Sequence, residues 1–332
     1  MTEAAPLSAP QLLAAIGKRV TIRLHEPDGG YRDIVGFLQS ENQLINSKSE
    51  TISFSPDQIA IWREIKPLPD LAGKGAPLSQ RIIDLEKISD ATWPAERIIE
   101  FGKWRLRISD GFTMRANSVL PLGAAPSGEP AAALSDAVQY VIDTYRANNL
   151  TPTFTMPLPI YEELDNYLAR TGWRIKVGAD FLIRDIGELD LANDTALTVE
   201  ILDHPSQQWL QVQSDQALDK LMRRYPARYG AIKSGGEIIA VGRIASSGTW
   251  SLATRLFVAP GHRGKGVAKI LMNHLMAAAS NDGATKIGLQ VDVENGAGLA
   301  LYQSMGFRLH HKYIYRVLDN LDNMAEEKAE KN

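Results

Sequence analysis

The sequence contains no cysteine among its 332 residues. Disulfide bonds, thiolate metal sites and a cysteine nucleophile are therefore excluded. It also has no run of about 18 apolar residues, so we expect no membrane-spanning helix. The first residues, MTEAAPLSAPQLLAAIGKR, lack a basic start followed by an apolar stretch, which predicts a cytoplasmic protein without a signal peptide. The formal net charge of −3 indicates no general attraction to nucleic acid or to anionic lipid.

Short strand patterns fill the first part of the chain. RVTIRLHE alternates Val20, Ile22 and Leu24 with polar residues, as a half-buried strand does, and PDGG then predicts a turn. About five such strands predict a small SH3-like β-barrel over residues 11–67. Seven basic residues there balance seven acidic ones, which argues against a nucleic-acid surface and favours a structural or docking module.

The remainder alternates helices and strands. A stretch rich in proline and glycine predicts a linker over residues 68–80. Two mixed units follow, over 81–190 and 197–317. LDNYLARTGWRI at 164–175 aligns with GLALYQSMGFRL at 298–309, which predicts a duplicated unit. Leu168 then falls opposite Tyr302, so we interpret the first copy as degenerate and the second as active.

A glycine-rich, basic loop precedes a predicted helix in VAPGHRGKGVAKILM, residues 258–272. The start of a helix has unpaired N–H groups and binds anions. Gly264 and Gly266 allow positive φ and close approach of a phosphate, while Arg263 and Lys265 add charge. The P-loop pattern fails because Val267 follows the last glycine, and the dinucleotide pattern fails for lack of a third glycine. A plain turn is the alternative.

The surrounding pattern resembles the Gcn5-related N-acetyltransferase (GNAT) superfamily. The residues that fit its acetyl-CoA signature, R/Q-x-x-G-x-G/A, are Arg263, Gly266 and Ala268. The residues that fit its second motif are Asn295, Tyr302, Gly306 and Phe307. Gly298 departs from the pattern, since the family often has alanine there. The resemblance implies a mixed, mainly antiparallel α/β (α+β) fold.

The resemblance also implies acetyl-CoA as cofactor. Its diphosphate would contact the loop residues Arg263, Gly264, Lys265, Gly266, Val267 and Ala268. Its pantetheine arm would pair with the main chain of Leu256, Phe257 and Val258. Asn295 would bind the arm or cap the next helix.

Tyr302 is the candidate general acid for the departing thiolate. A phenol titrates near ~10 and a thiol near ~8.5, so Tyr302 is protonated at neutral pH. A core tyrosine is the alternative interpretation. Asp292 and Glu294 are candidate bases acting through water, although each fits an ordinary charge at a strand end. No His, Asp and Glu spacing predicts a metal site. We expect the acceptor amine to attack the thioester directly, in a ternary complex of the protein, acetyl-CoA and the acceptor.

The acceptor is the part of the reaction that the sequence specifies least. The whole layout resembles a bacterial GNAT group whose members are described as histone-type acetyltransferases and, in one branch, as N-acetylglutamate synthases of arginine biosynthesis. We therefore expect a small amine, glutamate first, whose carboxylates would bind Arg255, Arg115 and Arg223 or Arg224. Surface arginines, a protein lysine acceptor and a non-catalytic acyl-CoA sensor are the alternatives. A homo-oligomer is left open.

Overall fold

A computed structural model of the chain describes residues 12–46, 50–65, 75–191, 196–213 and 217–319. The chain divides into two units, residues 1–70 and 71–332. Most of the predicted linker, residues 68–74, lies outside the described residues. Its last residues are helical, because helix α1 (Leu78–Thr92) begins directly after Pro77. Proline lacks an N–H and has a fixed φ, so it starts a helix without losing a hydrogen bond.

The first unit is a five-stranded antiparallel sheet with the order β4-β3-β2-β1-β5. Its strands are β1 (Arg19–His25), β2 (Tyr31–Ser40), β3 (Gln43–Ile45), β4 (Thr51–Ser53) and β5 (Ile59–Glu64). The predicted alternation is confirmed, since Val20, Ile22 and Leu24 are buried. Gly36 is required where β2 meets β3, because a Cβ there would lie 2.2 Å from the carbonyl oxygen of Ile45. Assignment of this sheet as an SH3-like barrel stays a prediction.

The second unit is built on one sheet of eleven strands. Its strands are β6 (Arg97–Phe101), β7 (Trp104–Ile108), β8 (Val119–Pro121), β9 (Thr153–Leu158), β10 (Arg174–Asp185), β11 (Leu197–Leu202), β12 (Arg228–Ser234), β13 (Glu237–Ser247), β14 (Trp250–Val258), β15 (Lys286–Asp292) and β16 (Arg308–Val317). The further helices are α2 (Leu134–Ala147), α3 (Glu162–Arg170), α4 (Gln207–Val212), α5 (Ala217–Met222), α6 (Val267–Asn281) and α7 (Gly296–Ser304).

The order of strands interleaves the two predicted copies. It runs β11-β12-β13-β14-β15-β10-β16-β9-β8-β7-β6. Strand β10 therefore lies between β15 and β16, and Phe181 pairs with Gln290 on one side and His311 on the other. Only β14–β15 and β8–β9 pair in parallel among the described strands. The predicted mixed, mainly antiparallel α/β fold is confirmed.

Helices cover both faces of the central strands. On one face, α6 approaches closely enough that a Cβ on Gly230 would lie 2.7 Å from Leu271 and one on Gly242 2.9 Å from Leu275. On the other face, Leu85 of α1 packs into a buried cluster with residues of β10 and β14. The small residues of β12 and β13 thus let α6 pack closely on the sheet.

A buried polar link joins α1 to β16. His311 Nε2 lies 3.0 Å from Glu86 Oε1, and the ring of His311 stacks on Phe181. His310 Nδ1 lies 2.9 Å from His311 Nδ1, and burial lowers the pKa of His310 to about 4. His311 is therefore the inward residue of this histidine pair. In the described parts of the chain, no helix has the length and apolarity to cross a membrane.

Candidate active site

The site begins where two parallel strands separate. Strand β14 pairs with β15 from Trp250 to Ala253, and no further pair joins them in the described chain. Directly beyond, Arg255 has a φ of 60°, and the register with β13 shifts. Gln213 Nε2 donates a hydrogen bond to the carbonyl oxygen of Arg255 at 3.1 Å, which holds this irregular backbone. The main chain after Arg255 consequently faces an opening instead of β15.

The glycine-rich loop lies at the start of α6. Gly266 is the N-cap residue with a φ of 78°, and Gly264 has a φ of 73°. Among the described residues no side chain caps this helix end, and its first turn has no acidic residue, so its amide groups are available for an anion. Arg263 Nε donates to the carbonyl oxygen of Val258 at 3.0 Å, and Lys265 Nζ to that of Gly261 at 2.9 Å. These bonds keep both cations beside the loop.

A cavity of about 620 Å³ joins the loop, the free part of β14 and helix α7. The predicted residues that line it are Leu256, Phe257, Val258, Arg263, Gly264, Gly266, Val267, Ala268, Asn295 and Tyr302. Lys265 is not among the lining residues, since its side chain turns back to Gly261. Lining residues that the sequence analysis did not select as site residues are His262, Lys269, Ala297, Gly298, Ala300, Leu301 and Ser304. Helical spacing could have indicated Lys269, three residues after Gly266, and Gly298, four residues before Tyr302.

Tyr302 is buried in α7 at the wall of this cavity, with 9% of its surface exposed. Burial raises its pKa to about 12. Its ring packs edge-on against Phe307 at 5.6 Å between centroids. The hydroxyl is therefore neutral at physiological pH and belongs to a side chain that packing holds in place.

Asn295 caps α7. Its Oδ1 accepts a hydrogen bond from the main-chain N–H of Gly298 at 2.9 Å. A Cβ at position 298 would lie 2.8 Å from Asn295 Nδ2. Glycine at 298 thus leaves room for the cap, which accounts for the departure from the family pattern.

A family model described as "Probable histone acetyltransferase Rv0428c C-terminal" matches residues 79–316, well over half of the chain. The chain belongs to this acetyltransferase family. It is an N-acetyltransferase of the GNAT type, and the matched range spans both predicted copies.

Individual relatives agree with this assignment. The acetyltransferase is 27% identical over 318 residues to the "Probable histone acetyltransferase Rv0428c" of Mycobacterium tuberculosis, covering 90% of this chain and 94% of that protein. It is 27% identical over 250 residues to the "Uncharacterized N-acetyltransferase YobR" of Bacillus subtilis, covering 70% and 97%. A solved GCN5-related N-acetyltransferase from Kribbella flavida has the same fold, with a TM-score of 0.59 and 13% identity over 74% of this chain and 97% of that one.

The two candidate bases of the acetyltransferase are exposed and do not line the cavity. Asp292 Oδ1 accepts a hydrogen bond from the main-chain N–H of Glu294 at 2.8 Å. This bond closes the turn between β15 and α7. The local geometry assigns Asp292 a structural role, and a role of either residue as base stays a prediction.

The three candidate acceptor arginines of the acetyltransferase separate into two groups. Arg115 and Arg255 line one second cavity of about 240 Å³. Arg223 is exposed and its Nε lies 2.6 Å from Asp219 Oδ1, four residues earlier. Arg223 does not line either cavity, and its role in acceptor binding stays a prediction. No group of three or more His, Asp or Glu residues in the described ranges is placed to hold a metal ion.

Proposed function

We propose that this chain transfers the acetyl group of acetyl-CoA to the nitrogen of a small amine. The observation that carries the proposal is the cavity that joins an uncapped, glycine-started helix to a free strand edge and a buried tyrosine. Its volume of about 620 Å³ is typical of small-molecule sites, which measure roughly 300–1,000 Å³. Loop amides and Arg263 fit a diphosphate, with Lys265 adding charge from outside the lining, and the main chain of residues 256–258 fits an extended amide arm.

Acetyl-CoA supplies an activated carbonyl group when bound. The amine nitrogen, in its neutral form, bonds to the carbonyl carbon as the C–S bond breaks. A main-chain N–H of residues 256–258 would polarise the carbonyl oxygen, as an oxyanion hole does. Tyr302 would give its hydroxyl proton to the departing thiolate. The proton that the nitrogen loses passes to water, from which Tyr302 is reprotonated.

The pKa of Tyr302 decides how this proton is used. Burial raises it to about 12, well above the value near ~8.5 of a free thiol. The phenol is therefore protonated at neutral pH and can act as a donor to the negative charge that builds up on sulfur.

For the acceptor we propose a free amino acid, with L-glutamate first. This would make the chain an N-acetylglutamate synthase of arginine biosynthesis. The convergence of Arg115 and Arg255 at one cavity supports a carboxylate-bearing acceptor. A protein lysine is the second candidate, and the name of the Mycobacterium tuberculosis relative favours it.

We further propose that the second unit is a duplication whose first copy is structural. Trp173 N and Phe307 N donate at 3.0 Å to the carbonyl oxygens of Leu168 and Tyr302 in matching helix ends. Gly172 and Gly306, which precede Trp173 and Phe307, both have positive φ. The strand order, with its two parallel pairs flanking β10 and β16, supports the same interpretation.

The loop that follows β8 in the first copy corresponds in chain order to the glycine-rich loop that follows β14 in the second. Trp104 and Tyr161 are fully buried. Trp104 Nε1 donates to the carbonyl oxygen of Ser127 at 2.7 Å, and the Tyr161 hydroxyl to that of Gly123 at 2.6 Å. These bonds from two neighbouring aromatic side chains fix the loop at 122–130, which supports a role in shape alone.

Thiol release from acetyl-CoA tests the proposal. Purified protein is assayed with each amino acid and with a lysine-containing histone-tail peptide. We expect amine-dependent release, with Tyr302→Phe losing most turnover while its affinity for CoA, measured by calorimetry, stays within about twofold. Failure of the wild-type protein to bind CoA would contradict the proposal. Stimulation by peptide alone would replace the amino acid with a protein lysine.

A further inference from the structure

The 240 Å³ cavity lies at the same strand opening as the larger one, on the other face of the sheet. Leu256 and Val258 pack toward α6, whereas Phe257 packs with Trp93, which follows α1. Gln290 of β15 lines the cavity and donates through Nε2 to Ser89 Oγ of α1 at 3.3 Å. The two cavities therefore flank the gap between β14 and β15 from opposite sides.

Two arginines beside this second cavity, Arg115 in its lining and Arg243 behind Trp93, have no carboxylate partner in the described chain. Arg115 and Arg243 lie 5.9 and 5.1 Å from the ring centre of Trp93, and neither has an ion pair among the described residues. Burial lowers the pKa of the Arg243 guanidinium, and the charge of Arg115 acts in the same direction. By contrast, the equally buried Arg107 has a carboxylate partner, Asp90, at 3.3 Å. A buried cation is costly unless it is paired, so this cavity favours an anion.

Three buried polar atoms of the cavity lining have no hydrogen-bond partner in the described structure. They are Arg115 Nε, Thr254 Oγ1 and Gln290 Oε1. Buried polar groups are almost always satisfied in native proteins, and an unsatisfied group needs an explanation. One of the three atoms donates, one accepts and the hydroxyl can do either. The set matches a ligand that carries both a carboxylate and an amine.

Backbone strain is concentrated at the same place. Four residues other than glycine have positive φ in the described chain, and two of them, Thr113 at 65° and Arg255 at 60°, line this cavity. Positive φ is especially unfavourable for a β-branched residue such as threonine. Strain of this kind persists where a site requires a particular geometry.

We infer that this cavity binds the acceptor and selects a free amino acid, with the carboxylate on Arg115 and the amine directed to Gln290 Oε1 and Thr254 Oγ1. The inference rests on the proposed function, because the amine must reach the thioester across the gap between β14 and β15. Arg243, behind Trp93, adds positive potential without touching the ligand. The volume of about 240 Å³ is below the roughly 300 Å³ at which drug-sized sites begin, which suits an amino acid better than a polypeptide.

The test compares acids with their amides. Thiol release from acetyl-CoA is measured with free amino acids, with the same amino acids as α-amides, and with a lysine peptide. We expect kcat/KM for the best acid to exceed that for its amide at least tenfold. Arg115→Gln should remove this preference by raising KM for the acid tenfold or more and KM for the amide much less, with the Kd for CoA retained. Arg146→Gln, which removes an exposed arginine of α2, is the matched control and should retain the preference.

Other outcomes overturn the inference in distinguishable ways. CoA binding with amine-dependent turnover but equal rates for acid and amide would refute the inference and leave the proposed function intact. Preference for the lysine peptide, or an equal loss on acid and amide in Arg115→Gln, would do the same. Absence of CoA binding would overturn both. If Arg115→Gln does not fold, the comparison of acid with amide on the wild-type protein decides.

Discussion

The glycine at the start of α6 permits a test that separates folding from ligand binding. Gly266 has a φ of 78° and Gly283, just after the other end of the same helix, a φ of 95°. At both positions an added Cβ would meet no atom within 4 Å. Alanine at either position therefore costs the backbone conformation alone, about 1–2 kcal/mol.

We expect Gly266→Ala and Gly283→Ala to lose similar stability. A loss of about 1 kcal/mol lowers Tm by roughly 2–4 °C in a domain of about 200 residues. Only Gly266→Ala should also weaken CoA binding, because relief of the strain turns an amide away from the diphosphate. A hydrogen bond to a charged group contributes about 1.5–3 kcal/mol, which corresponds to a Kd roughly ten- to 150-fold higher.

Scanning calorimetry and titration calorimetry with CoA on the two variants measure both effects. Gly283→Ala serves as the control for lost stability without a change at the loop. A Gly266→Ala protein that melts as low as its control but binds CoA like the wild type would refute the assignment of the loop amides as the diphosphate anchor.

Three further predictions concern the neighbouring residues. Gly298→Ala should cost about 1 kcal/mol of folding free energy, since its methyl group displaces the Asn295 cap; unchanged urea denaturation would contradict this. The acetyl-transfer rate should rise with pH as the amine loses its proton and should not fall near pH ~10, because the general acid Tyr302 has its pKa raised to about 12; a pH–rate profile that declines there would exclude it. Glu86→Leu should cost about 1–3 kcal/mol by leaving His311 Nε2 unpaired, and Glu86→Gln less; equal losses in denaturation would show that the bond contributes nothing.

The sequence predicted the larger cavity well because its elements are local. Gly264 and Gly266 lie in one short loop, and the helix of Tyr302 follows the next strand. Positive φ at both glycines could be anticipated from the lack of a side chain. The three antiparallel strands before the loop followed in the same way from the turns SGG and SSG.

The sequence predicted less of the acceptor cavity, because residues that are far apart in the chain form it. Arg115 and Arg255 are 140 residues apart, and only the fold shows that they share a cavity. The sequence did not indicate a role for Arg243, since a single arginine in an apolar strand does not show whether its side chain is buried. The ion pair of Arg223 could have been predicted, because Asp219 precedes it by four residues, the spacing of a helical ion pair.

The interleaving of β10 and β16 affects how the chain folds during its synthesis. Strand β10 ends at Asp185 and β16, its neighbour in the finished sheet, ends at Val317. At a translation rate of about 5–20 residues per second, the ribosome needs roughly 7 to 26 seconds to add the intervening residues. For that interval the nascent β9 and β10 have exposed edges that invite aggregation. This sheet can close only after β16 has been made, so a chain that ends before β16 would be one that chaperones must hold or proteases remove.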